Sequence, residues 1–209
     1  MTKLNERMEA GTDAAIPINV QVYHVSQTIA KPNVMGRQSG SVNIIFLDID
    51  GVLNCQLFYT NRKKSESIIE HPQDQICTER VEWLNQLCKD VNAKVVISST
   101  WRHSGLDYCK DVLKKAGATF DIIDKTPDLR HEGCVRGNEI NLWIEKNKEM
   151  LGVWRSNFNS YAIIDDDSDM LYWQRNNLFL TDTYSGLTPN TCYRIKRHFE
   201  QLGCVPACP

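Results

Sequence analysis

No apolar run in the 209 residues approaches the roughly eighteen needed to cross a bilayer, and the N-terminus lacks a signal-peptide core. A membrane partner is therefore excluded, and a cytoplasmic protein is expected. Excess charge is missing too: 24 Lys and Arg against 26 Asp and Glu leave a formal net charge of −2, with a pI near 6.2. Any contact with nucleic acid has to come from a local basic patch, because there is no global pull toward it. Metal-finger and disulfide-framework spacing is absent as well. The eight cysteines are scattered, several of them (Cys88, Cys109, Cys192) in helix-like stretches, so buried free thiols in a reducing compartment are expected. Cys204 and Cys208 stand close enough to close a small loop or catch a metal, but in what reads as a frayed tail, residues 204–209. There is also too little chain for two comfortable domains. With 42% hydrophobic residues it suits one α/β domain over 41–203, preceded by a loosely ordered arm over 1–40 whose patch Ile18 to Val25 could add an edge strand or bind a partner.

What is present is concentrated in the stretch Ile44 to Asn54. Ile44 to Leu47 is short, branched and apolar, which suits a strand buried on both faces of a parallel sheet. Asp48 and Asp50 follow at its C-terminal end, where open α/β sheets place their ligands. Two adjacent carboxylates leaving a buried strand repel each other and lose solvation, so they call for a cation or a shared proton. Mg²⁺ fits, since it takes few carboxylates and completes its shell with water and phosphate oxygens. The competing reading of the stretch alone is a strand ending in a solvated turn, with Asp and Gly present for turn chemistry.

Further along, Cys55 to about Gln75 reads as a polar, basic loop, and a helix with Val81, Leu84, Leu87, Cys88 and Val91 inward runs from Cys77 or Thr78. Arg80 falls on its outer face. Ala93 to Ser98 is a second buried strand, reached by a right-handed crossover. It ends in Ser98-Ser99-Thr100-Trp101-Arg102, hydroxyls that can cradle an anion at a helix start and a guanidinium that can clamp it, though Ser and Thr also serve as plain helix caps. A helix over Ser104 to Lys115, a strand over Phe120 to Ile123, a loop carrying Lys125, Arg130, His131 and Arg136, and a helix over Asn138 to Lys148 follow. Tyr161 to Ile164 is the next strand and runs into Asp165-Asp166-Asp167-Ser168-Asp169. A short strand over Asn177 to Leu180 precedes a last helix capped by Thr188, with Cys192, Ile195, Phe199 and Leu202 inward.

These four strand ends resemble the motifs of the haloacid dehalogenase (HAD) superfamily of Mg²⁺-dependent phosphatases and phosphotransferases, over roughly Asn43 to Leu202. "FLDIDGV" is similar to the first motif, the Ser after "VVIS" to the second, a downstream Lys or Arg to the third and "IIDDDSD" to the fourth. "ISSTWR", "RGNEI" and "IIDDDSDM" resemble more narrowly the HAD-type domain of Swiss Army Knife RNA repair proteins. The resemblance implies a Rossmann-like α/β three-layer sandwich with a central, mostly parallel sheet, and the absence of a large insertion implies a minimal cap or none. It implies Asp48 as nucleophile, Asp50 as acid and base, and Mg²⁺ held by Asp48, the Asp50 carbonyl, Asp165 and Asp166. Ser98 or Ser99 would bond the phosphoryl group, and Arg136, or else Lys125, would offset its charge. Asp50 favours phosphoryl transfer, since the dehalogenase branch lacks that acid and base. The expected activity is a phosphomonoesterase on a phosphorylated substrate such as an RNA end, with Arg62, Lys63, Lys64, Arg102 and Arg130 on backbone phosphates and Trp101 or Tyr59 stacking a base. A small-metabolite or nucleotide phosphatase and a non-catalytic binding module on the same fold are the competing readings.

Overall fold

The computed structural model describes residues 42–62, 69–151 and 160–202; the arm over 1–40, Lys63 and Lys64, and the tail with Cys204 and Cys208 lie outside them. Five strands pair in the order β3-β2-β1-β4-β5, all parallel: β1 (Asn43–Leu47), β2 (Ala93–Ile97), β3 (Ile122–Lys125), β4 (Tyr161–Asp165) and β5 (Leu178–Leu180). The chain runs outward from β1 to β2 and β3, then returns to lay β4 on the other side of β1. That reversal opens a crevice at the carboxyl ends of β1 and β4, the place where open α/β sheets bind ligands.

Strand residues alternate between two cores because successive side chains point to opposite faces. Ile45, Leu47, Val95, Ile97 and Ile164 meet α2 (Thr78–Val91), α3 (Leu106–Lys115) and α5 (Pro189–Gln201) on one face. Ile44, Phe46, Val96 and Ile163 meet α4 (Arg136–Lys146) through Ile140, Trp143 and Ile144 on the other. The result is the three-layer α/β sandwich expected. Among the described residues no cap interrupts it, since only a short α1 (Gln56–Asn61) and a 3-10 turn separate β1 from α2, and only residues 126–135 separate β3 from α4. No helix of the described residues is long and apolar enough to cross a membrane.

Several local expectations are corrected. The stretch after β1 is not all loop, because Cys55 Sγ accepts from Phe58 N and starts α1. The third strand lies two residues later than Phe120 to Ile123; Phe120 packs against the core from the connection, and pairing with β2 begins at Ile122 opposite Val95. Arg80 is buried, not outward, with its guanidinium donating to Ser185 O and lying over Trp83. Leu202 ends up 39% exposed, past the last turn of α5, whereas Thr188 caps that helix through Thr191 N as expected. The six described cysteines are free, four of them buried.

α4 begins at Arg136, two residues before the expected Asn138, because its first amides find partners far away in sequence. Arg136 N donates to Asp169 Oδ2 and Gly137 N to Asp169 O, so a carboxylate from the β4–β5 connection caps the helix and complements its dipole. Gly137 allows the close approach: a Cβ there would lie 2.4 Å from Leu171 N and 2.9 Å from Met170 Cα, both backbone. Gly137→Ala is accordingly expected to lower unfolding stability by about 1–3 kcal/mol, as overpacking does, measured by denaturant titration. Unchanged stability would mean that the Asp169 to Leu171 segment is free to move away.

Candidate active site at the ends of β1 and β4

Parity decides which side chains meet. Asp48 follows Phe46 onto the α4 face and Asp165 follows Ile163, with Leu47 in register with Ile164 on the neighbouring strand. The first turn of α4 aims Arg136 at the same spot. One guanidinium nitrogen, Nη1, lies 2.8 Å from Asp48 Oδ1 and 2.9 Å from Asp165 Oδ2. Asp166 completes the group: carboxylate oxygens of Asp48, Asp165 and Asp166 lie within 4.8 Å of one another. Opposite ligands around a small ion with ~2.1 Å bonds are about 4.2 Å apart, so these three carboxylates could hold a divalent cation with little movement.

Electrostatics at this point is dominated by burial. Asp48 is 4% and Asp165 0% exposed. Burial raises the Asp48 carboxyl above its ordinary range, against the opposing Arg136 charge and hydrogen bonds from Arg136 and Ser99. Asp165 is pushed up to about 7, by burial first and the Asp48 charge second, again opposed by Arg136. Burial alone would lower the Arg136 pKa, but the carboxylates of Asp48 and Asp165 outweigh it and hold the guanidinium protonated.

The acidic run after β4 divides into separate tasks. Asp165 and Asp166 join the cluster, Asp169 caps α4, and Asp167 is exposed with its carboxylate bound to Ser168 N. Asp166 is set in place by two residues that sequence reasoning did not single out. Thr183 Oγ1 donates to its Oδ2 at 3.0 Å, and Gly51, at φ +68°, leaves room for it where a Cβ would lie 2.0 Å from that oxygen. A glycine directly after the second of two paired aspartates was the signal for Gly51; Thr183 had none, being 17 residues from its partner.

Asp50 sits at the mouth with both oxygens engaged. Oδ1 accepts from Asn54 Nδ2 at 2.9 Å and Oδ2 from Trp101 Nε1 at 3.0 Å. Its carboxylate is not part of the three-carboxylate group. Of the two serines, Ser99 hydrogen-bonds Asp48, whereas Ser98 Oγ is fully buried and makes no hydrogen bond among the described residues.

Arg102 and Lys125 are placed otherwise than expected. Arg102 is 2% exposed, and its terminal nitrogens are taken by Ser98 O, Ser99 O and the Glu139 carboxylate. It braces the end of β2 against α4 from behind, because a guanidinium can satisfy two buried carbonyls and a buried carboxylate at once. Lys125 lies in β3 and donates to Arg102 O at 2.8 Å, one layer further back. Arg136, not Lys125, is therefore the cation beside Asp48.

A family model described as the HAD domain in Swiss Army Knife RNA repair proteins matches residues 44–192. No curated protein and no solved structure gives a match.

The raised Asp165 pKa has a consequence for stability. Its proton is held more tightly in the folded chain than in the unfolded one, so its contribution is fully present below about pH 3.8 and is lost as pH rises through about 7. In chelator, the stability of the wild type relative to Asp165→Asn should fall between those pH values by on the order of 4 kcal/mol, read from paired thermal melts. A flat difference curve would show that folding leaves the Asp165 pKa at its unfolded value.

Proposed function

The chain belongs to the family of HAD domains found in Swiss Army Knife RNA repair proteins, and on that premise we propose that it is a Mg²⁺-dependent phosphomonoesterase working through an aspartyl-phosphate on Asp48, with phosphorylated nucleic-acid ends, RNA foremost, as substrate. The observation that carries this reading is the cluster of Asp48, Asp165 and Asp166 bridged by Arg136, with Asp50 alongside at the mouth. Mg²⁺ held by the three carboxylates would supply positive charge against the phosphoryl oxygens. Asp48 attacks phosphorus, and the bond to the leaving oxygen breaks as the bond to the carboxylate forms. Asp50 gives its proton to that leaving oxygen and then takes one from the water that hydrolyses the acyl phosphate. Arg136 and the Ser99 hydroxyl orient Asp48, and Arg136 offsets charge on the transferring group.

Support for a nucleic-acid end is separate. Tyr59, 41% exposed, and half-buried Trp101 stand next to Asp50 and offer ring surfaces to a base, and the open strand ends leave room for a long substrate. The basic groups favour a second reading, a phosphatase of small metabolites or nucleotides. Arg102 is buried, Arg62 donates to Asp74 O, and Arg130 is paired with Asp128.

Hydrolysis of p-nitrophenyl phosphate with and without Mg²⁺ tests the chemistry. Asp48→Asn should abolish turnover and aspartyl-phosphate formation, and Asp50→Asn should slow turnover by about 10²–10⁴-fold. Asp165→Ala should raise the Mg²⁺ requirement sharply and Asp167→Ala far less. Wild-type activity no greater than that of Asp48→Asn would leave a non-catalytic module. A phosphorylated RNA oligomer should exceed its mononucleotide in kcat/KM, with the preference shrinking as salt is added. Equal kcat/KM at all salt concentrations would leave the small-molecule reading.

A further inference from the structure

Asp50 is held by an unusual pair of donors, and their arrangement carries an inference that rests on the phosphomonoesterase reading. Each carboxylate oxygen accepts one neutral N–H: Oδ1 from Asn54 at 2.9 Å, Oδ2 from the Trp101 indole at 3.0 Å. Neither donor is free to swing. Asn54 is 4% exposed, and its Oδ1 accepts from Gly51 N at 3.0 Å, which fixes the amide and turns Nδ2 toward Asp50. Trp101 is in the 3-10 turn Thr100–Ser104, its own amide donating to Ser99 Oγ and its ring 6.4 Å from Tyr108 against the α3 side of the core.

We infer that Trp101 and Asn54 are positioning residues that fix the Asp50 carboxylate for proton transfer to the leaving group. Asp50 itself follows the end of β1, in a turn, where its side chain has no strand or helix to hold it. An acid must sit within about 3 Å of the oxygen it protonates, and a carboxyl free to rotate loses most of its advantage. Two donors on opposite oxygens fix the torsion. A carboxylate has about four lone-pair sites, so one site on each oxygen stays open for the proton and the leaving group. Because both donors are neutral, they orient Asp50 without forming an ion pair that would compete with the substrate. The Trp101 contact also ties the acid to the loop that carries Ser99, which bonds Asp48, so nucleophile and acid are referenced to one rigid segment.

The step affected is the first one: the P–O bond to the leaving alcohol breaks, the bond from Asp48 to phosphorus forms, and the Asp50 proton passes to the departing oxygen. Its need for the acid grows with the basicity of that oxygen. A poorly placed acid therefore penalises an alkyl phosphate far more than p-nitrophenyl phosphate, whose leaving oxygen departs readily as an anion. A general packing defect penalises both alike. kcat/KM covers binding and this step but not the later attack of water, which follows loss of the alcohol.

The experiment compares kcat/KM for p-nitrophenyl phosphate and for a simple alkyl phosphate in the wild type, Trp101→Phe and Asn54→Asp. Trp101→Phe keeps a ring and removes the N–H; Asn54→Asp keeps the acceptor for Gly51 N and removes the donor. Each variant is expected to lose about 10-fold or more on the alkyl ester, a share of the full acid–base effect, and less than about 3-fold on the aryl ester. Equal losses on the two esters in both variants, or none, overturn the positioning role while leaving the phosphatase reading intact. A wild type that hydrolyses neither ester overturns both.

Discussion

Buried carboxylates at the ends of two neighbouring strands are the constraint around which the described structure is arranged. Asp48 and Asp165 are almost without solvent, and their charges repel across adjacent strand ends. A single nitrogen of Arg136 reaches both, and the position of α4 follows from that need. The helix starts where its first residue can insert a guanidinium between the strands. Asp169 satisfies its first amides, and Gly137 lets the β4–β5 connection lie against it. The bridge offsets only part of the burial cost, as the elevated Asp165 pKa of about 7 indicates, and a site left partly uncompensated is one that gains from binding a cation.

A second ring of contacts holds that centre in place. Arg102 joins the carbonyls of Ser98 and Ser99 to Glu139 on α4, and Glu139 also accepts from Leu129 N, so the end of β2, the β3–α4 connection and α4 meet in one buried ion pair. On the opposite side Thr181 donates to Gly51 O and Thr183 to Asp166, linking the turn after β1 to the segment after β5. The chemistry-bearing residues are therefore supplied by strand ends, and the residues that aim them come from connections distant in sequence. Such an arrangement suits a site that must be accurate to a fraction of an ångström on a sheet whose edge is otherwise open.

Much of this was readable from the residues alone. Three strands, β1, β2 and β4, appear in the chain as short apolar runs because each is buried on both faces or nearly so, and the helices α2 and α5 show their inward stripes at helical spacing because one face of each is buried. Asp48, Asp165 and Asp166 were recognisable because carboxylates directly after such runs have no role in packing. What misled was polarity taken as exposure. Sequence alone put Arg80 on the outer face of its helix and Arg102 on substrate phosphates, yet both are buried and donate to backbone carbonyls, Arg80 to Ser185 O and Arg102 to Ser98 O and Ser99 O.

The sequence by itself determined the strands, the helical faces and the carboxylates at the strand ends, since these depend on apolar periodicity and on residues close together in the chain. Tertiary structure alone decided which cation meets Asp48, which serine bonds it, and what holds Asp50. Arg136 over Lys125, Ser99 over Ser98, and Trp101 with Asn54 as donors to Asp50 all turn on strand register and on where α4 begins. Apart from Asn54, four residues from Asp50, those are set by contacts spanning from 29 residues, between Arg136 and Asp165, to 88, between Arg136 and Asp48. A local pattern carries no record of pairings at that range, because the hydrogen bonds that select them exist only once the sheet has brought the strand ends side by side.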